Sequence, residues 1–202
     1  MKKDNSTIRL KVALRQRALK VTSAELPVLE THGGAGRIYE RCYDTRVGVV
    51  LEKKPEKAEH LAKQRPTWRV YQCDSAKALA CGLANDLAFG LVDIDPYGSP
   101  WPILEALLLK SRRQWPDVVQ IVVNDGLRQK CKMGGSWNAG DLREMVEQYG
   151  NNLYPIYLEV AREKLEKIAG QAGFKLTGWV GYYCGHAGDM THYWATLQKV
   201  NQ

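Results

Sequence analysis

The chain has 202 residues, 45% of them hydrophobic and 25% charged, proportions of a soluble globular protein that exclude collagen-like, coiled-coil and disordered architectures. Its length predicts a single folded unit over residues 1–202. Lysine and arginine number 29 against 22 aspartate and glutamate residues, a net charge of +7, and the surplus is concentrated in residues 1–20 and 110–132, two stretches suited to neutralising the phosphates of a polyanion.

In residues 1–20, Ile8, Leu10, Val12 and Leu14 alternate as in a strand while residues 13–19 suit a helix; we read this basic N-terminal extension as a helix. Short β-rich runs follow at 26–30, 47–52, 68–73, 87–94 and 118–124, separated by helix-compatible runs, which is the βαβ signature of a parallel sheet covered on both faces. Helix boundaries support it. Pro55 opens and Pro66 closes one helix, Asp74-Ser75 offers a cap before 76–83, and Ser99 with Pro100 starts a helix reaching Ser111. Pro155 opens another, with Ile156, Val160, Leu165 and Ile168 at helical spacing, ending near Gly170 and Gly173. Residues 174–184 and 190–200 are two further β-rich runs joined by 185–189, a hairpin length that makes the last strand antiparallel. The fold class is therefore α/β, a doubly wound, Rossmann-like and mostly parallel seven-stranded sheet with an antiparallel last strand. The chain lacks an apolar run long enough to span a bilayer and an apolar stretch of the secretory kind near Met1, so no membrane partner and a cytoplasmic location are expected. Cys42, Cys73, Cys81, Cys131 and Cys184 form no C-x-x-C pair, which suits free thiols in a reducing compartment rather than structural zinc.

After the first strand comes Glu30-Thr31-His32-Gly33-Gly34-Ala35-Gly36. Ligands of open α/β sheets bind beyond the carboxyl ends of the strands, where glycines let backbone approach them. The spacing is not G-x-G-x-x-G, which disfavours a dinucleotide. Glu52 ends the second strand, placed for a ribose diol, and Asp74 ends the third, placed for an adenine amino group. In this succession the sequence resembles the class I S-adenosylmethionine-dependent methyltransferases over residues 26–200. The resemblance implies S-adenosylmethionine as cofactor, with Glu30 and the loop glycines Gly33, Gly34 and Gly36 at its methionine part, Glu52 at the ribose and Asp74 with Ser75 at the adenine. His32 stands where that family usually has its first glycine; it and Asp93 are placed on the cofactor side.

The fourth strand runs into Asp93-Ile94-Asp95-Pro96-Tyr97-Gly98-Ser99-Pro100. An exocyclic amine on a nucleobase is a poor nucleophile because its lone pair is delocalised. Hydrogen bonds from its protons to Asp95 and to the Pro96 carbonyl would favour a pyramidal nitrogen and accommodate the developing positive charge, and Tyr97 would stack on the base. This stretch most resembles the D-x-D-P-[FY]-G-S-P motif of the tRNA guanine N2-dimethyltransferases, which implies Asp95, Pro96 and Tyr97 as the catalytic group.

Residues 125–140 form a long loop beyond the fifth strand, where Arg128, Lys130 and Lys132 would meet phosphates and Trp137 would stack on a base. His186, Asp189 and His192 lack a third convergent ligand at zinc spacing, so no metal is expected. The sequence therefore predicts an N-methyltransferase acting on a nucleobase amine of a nucleic-acid partner, RNA ahead of DNA. Alternatives are methylation of a protein or small molecule, a nicotinamide-dependent oxidoreductase, which shares the fold but not the glycine spacing, and a non-catalytic nucleic-acid-binding protein on a degenerate version of the fold.

Overall fold

The computed structural model describes residues 7–96, 98–131 and 140–200. Helix α1 (Ile8–Lys20) leads into strand β1 (Val28–Glu30), a π-helical turn (Tyr39–Tyr43), β2 (Gly48–Glu52), α2 (Pro55–Gln64), β3 (Arg69–Gln72), α3 (Ser75–Ala80) and β4 (Leu91–Ile94). Then come α4 (Trp101–Glu105), which widens into a π-helical turn (Ala106–Lys110), β5 (Val118–Asp125), α5 (Leu127–Cys131), α6 (Gly140–Tyr149), α7 (Tyr157–Gln171), β6 (Phe174–Cys184) and β7 (Met190–Lys199). The strands form one sheet in the order β3-β2-β1-β4-β5-β7-β6. β1 to β5 pair in parallel, while β7 runs antiparallel to both β5 and β6. The order reverses between β1 and β4, which is where an open α/β sheet leaves a crevice beyond its strand ends. No described helix is long and apolar enough to cross a membrane.

Alternation along each strand sorts the side chains between two cores. Leu91 and Val122 join Leu14, Ala18, Tyr43 and Leu61 on the face covered by α1, the first π-helical turn and α2. Val92 and Ile94 join Leu79, Leu104, Met145 and Leu165 on the opposite face, under α3, α4, α6 and α7. The N-terminal extension is thus a helix of the layer that also holds the first π-helical turn and α2, fixed by its Leu14 and Ala18 face.

Three expectations shift. The fourth strand begins at Leu91, not at 87, because the Arg113 guanidinium draws the carbonyls of Leu83, Ala84 and Leu87 around itself at 3.0, 2.7 and 3.1 Å and stacks on Phe89. Carbonyls turned toward one cation leave no extended ladder. The same contacts end α3 at Ala80, ahead of Gly82 and Ala84, which both have positive φ. The supposed loop after β5 starts instead as helix α5; residues 132–139, including Lys132 and Trp137, lie outside the described residues.

Asp125 holds that end of the sheet together. Fully buried, it accepts from the Leu127 N–H (2.8 Å) at the start of α5 and from the Tyr157 hydroxyl (2.8 Å) on α7, while its carbonyl accepts from Thr191. Burial pushes its carboxyl up to about 7, against the opposing pull of those donors. A folded value above the unfolded one means that the folded state holds the proton more tightly, so this group's contribution is greatest below about pH 4 and is lost as pH rises to about 7. Asp125→Asn, which carries no titrating proton, is expected to gain stability relative to wild type across that window, on the order of 4 kcal/mol. Urea unfolding at successive pH values measures it; a constant difference would assign Asp125 an ordinary carboxyl.

Candidate active site

The tip of β4 is built by two residues at the end of one strand and two of one helix. Asp93 on β4 and Asp95, the residue just past its end, are two positions apart, about 6–7 Å in extended chain, and Lys11 and Arg15 lie one turn apart on α1, about 6 Å along its axis. The spacings match, so both pairs close at once. Arg15 grips Asp93 through Nε (2.6 Å) and Nη2 (2.5 Å), and the Tyr43 hydroxyl adds a third bond at 2.8 Å. Arg15 and Asp93 are almost wholly buried. Nearer the solvent, the Lys11 ammonium donates to both oxygens of Asp95 at 2.8 and 3.0 Å. Burial works to raise the Asp95 carboxyl, but Lys11 and Arg15 together outweigh it and hold it below the ordinary aspartate range.

The glycine loop is tied down by its own amides. The Thr31 N–H donates to the Asp93 carbonyl (2.9 Å), Gly33 to Leu51 (3.1 Å), Gly36 to Gly33 (3.0 Å) and Gly34 to the Glu52 carboxylate (2.9 Å). Gly33 is packed so closely on Leu61 and Val50 that a side chain there would collide, and Gly34 adopts φ +57 with open space where a side chain would point. The other oxygen of Glu52 accepts from the Lys54 N–H at 2.9 Å. Asp74 caps α3 through the Lys77 N–H (3.3 Å) and is half exposed beside Lys53 (3.3 Å). His32 is half-buried between these strand ends. Its burial lowers the imidazole below its usual value, and Asp95, Glu52, Asp93 and Asp74, all close enough to act on it, offset this only in part.

Several expected site residues lie behind this rim. Glu30 is buried in an ion pair with Arg65, whose guanidinium lies over the Tyr39 and Trp68 rings, so its carboxylate is turned into the core and away from the crevice. Asp93 is spent on Arg15 and Tyr43. The Ser75 hydroxyl donates to the Thr31 carbonyl (2.5 Å), which fastens α3 to the glycine loop. On the substrate side, Arg128 is buried between the Tyr154 and Tyr183 rings, 3.8 Å from each, and donates to the carbonyls of Tyr154 and Gly188. It is a structural clamp and not a phosphate contact. The Lys130 ammonium sits beside Gly98, where an added methyl would approach it to 3.3 Å. Pro96 is half exposed next to Asp95, while Tyr97 lies outside the described residues. His186 is exposed, Asp189 accepts from Tyr154, and His192 is buried beside Tyr182, so the three do not converge.

Sequence reasoning missed Lys11 and Arg15 as partners of the β4 acids. The signal was present as two cations at i, i+4 on a helix and two carboxylates at i, i+2 at the end of a strand.

No protein-family model matches the chain, and no curated protein matches it in sequence. Solved structures share its fold. The N-methyltransferase NodS from Bradyrhizobium japonicum WM9 superposes with a TM-score of 0.62 at 12% identity, over 98% of this chain and 99% of that one. TYW2 from M. jannaschii, solved in complex with AdoMet, gives 0.61 at 14% identity over 99% of this chain and 79% of that one. Trm1 from Pyrococcus horikoshii, solved with S-adenosyl-L-methionine, gives 0.62 at 13% identity over 95% of this chain and 56% of that one. At these identities the likeness establishes a Rossmann-like methyltransferase fold.

The scaffold behind the rim depends on the Arg15–Asp93 pair. Arg15→Met leaves a buried carboxylate without its cation and is expected to cost about 3–5 kcal/mol in urea unfolding. Adding Asp93→Asn should recover part of that loss; a single variant as stable as wild type would show that Asp93 needs no cation.

Proposed function

We propose that the chain is an S-adenosylmethionine-dependent N-methyltransferase whose acceptor is an exocyclic amino group of a nucleobase, in RNA ahead of DNA. The observation that carries this reading is Asp95, an ionised carboxylate fixed by Lys11 at the switch point of the sheet, on a rim made of hydrogen-bond acceptors. S-adenosylmethionine supplies matching groups: an ammonium, a ribose diol and an adenine amine as donors, and a positively charged sulfonium. The fit is one of chemistry. Glu52 keeps an unused lone pair on each oxygen for the diol, Asp74 is open to solvent beside the adenine position, and Gly34 leaves room at the loop. A nicotinamide dinucleotide fits less well, because its diphosphate needs free amide donors and four of the loop's N–H groups are already engaged. The AdoMet-bound and S-adenosyl-L-methionine-bound states of TYW2 and Trm1 support the same cofactor.

When bound, the cofactor supplies an electrophilic methyl group. The chain's own residues prepare the nucleophile. Asp95 and the Pro96 carbonyl would accept the amine's protons and accommodate the charge that develops on nitrogen, while Tyr97 would stack on the base, worth ~1–3 kcal/mol. Alignment of nitrogen with the methyl group can supply ~7–11 kcal/mol of the barrier reduction without a covalent intermediate. A polyanionic substrate is supported by the exposed Arg9, Arg37 and Lys54 on the segments that surround the crevice, and by Lys130 next to Gly98.

Asp95→Ala is expected to keep its affinity for S-adenosylmethionine in isothermal titration but to lose at least about 10²-fold in methyl incorporation. The assay uses labelled methyl donor with separate pools of tRNA, rRNA and DNA, followed by nucleoside mass spectrometry. Unchanged incorporation in the variant would remove Asp95 from the chemistry, and label found only in protein would overturn the nucleobase assignment.

A further inference from the structure

Methylation of a neutral amine releases a proton, and Asp95 is poorly suited to take it. Both of its oxygens hold the Lys11 ammonium, and its carboxyl is held below the ordinary range. A second group faces the same crevice. His32 lies two residues past the end of β1 and Asp95 directly follows β4, so the two residues flank the point where the strand order reverses. The amides on either side of His32 fix its place: the Thr31 N–H bonds to β4 and the Gly33 N–H to β2.

The hydrogen bonds of Thr31 also fix the ring's tautomer. The Thr31 hydroxyl lies 3.1 Å from the Asp93 carbonyl, which can only accept, and assigning its single proton to that bond leaves the hydroxyl oxygen as an acceptor. The same hydroxyl oxygen is 3.0 Å from His32 Nδ1. That contact is a hydrogen bond only if Nδ1 carries the proton and donates it. Nε2 is then the unprotonated nitrogen, with its lone pair available, and no hydrogen bond to it occurs among the described residues.

Resting on the methyl-transfer reading, we propose that His32 Nε2 is the proton acceptor of the reaction. The amine lone pair forms the nitrogen–carbon bond as the carbon–sulfur bond breaks and leaves its pair on sulfur. The surplus proton on nitrogen passes to Nε2, the ring becomes an imidazolium held by the Nδ1–H bond to Thr31, and the proton then leaves to solvent. The charged groups around the ring suit this cycle. The carboxylates of Asp95, Glu52, Asp93 and Asp74 act on it electrostatically, while Lys11, Arg15 and Lys53 are each paired with a carboxylate of their own. Burial keeps the ring neutral near pH 7, and the carboxylates stabilise the imidazolium when it forms.

His32→Asn keeps a donor near the Nδ1 position and removes Nε2. It is expected to lose about 10²-fold or more in turnover at saturating S-adenosylmethionine, and to lose the fall in rate that wild type shows on acidification. His32→Ala should regain turnover when imidazole is added. Independently of activity, nitrogen-15 NMR of the unliganded protein is expected to show Nδ1 protonated and Nε2 bare. An Nε2–H tautomer, or an Asn variant with wild-type turnover and pH profile, would overturn the role of His32 while leaving methyl transfer intact. A wild-type chain that neither binds S-adenosylmethionine nor methylates any pool would overturn both.

Discussion

Everything at the candidate site depends on how α1 is clamped to the tip of β4. Two buried or half-buried carboxylates at one strand end could not stand together without cations, because taking an unpaired carboxylate out of water costs several kcal/mol. Four helical residues rise about as far as two strand residues, so Lys11 and Arg15 answer Asp95 and Asp93 only when α1 lies in one register against the sheet. Slide the helix by a turn and one acid is left without its cation. The clamp therefore does more than stabilise: it fixes the height of α1, the direction of the Asp95 carboxylate and its ionised state.

Behind the rim the same device recurs. Glu30 is matched by Arg65 and Asp93 by Arg15, both pairs buried, while Ser75 and the loop amides tie β1, β2, β4 and α3 into one frame. What remains at the crevice is a set of acceptors with the loop's donors largely consumed. That asymmetry, rather than the glycine count, is what separates this site from a phosphate cradle. Glycine permits close approach in either case, but the partners of the amides decide which charge is welcome there.

The sheet was legible because strand and helix periods alternate cleanly, and β4 was legible because Asp93 and Asp95 follow a buried apolar run. Local pattern could not show where a long side chain would end. Arg113 reshapes residues 83–89 from another part of the chain; Arg128 reads as a phosphate contact from its basic neighbourhood but is sandwiched between rings contributed by Tyr154 and Tyr183. Glu30 likewise stands at the strand end where a ligand acid belongs, and only the arrival of Arg65 from the end of α2 turns it inward. Counting charge along a sequence treats every cation as available. Tertiary pairing decides which of them are.

That pairing also resolves a tension in the proposed chemistry. A polyanion should be repelled by carboxylates at and behind the crevice, yet each of them except Glu52 has a cation of its own: Lys53 for Asp74 and Lys11 for Asp95 at the rim, Arg65 for Glu30 and Arg15 for Asp93 behind it. Seen from beyond a Debye length of about 8 Å, the site is close to neutral and the exposed cations around it dominate. At hydrogen-bonding distance the individual carboxylate oxygens reappear as acceptors. The basic surplus of the sequence is thus partly consumed in masking these acids, and on the proposed function this would let one crevice admit a phosphate-bearing substrate and still stabilise positive charge at its centre.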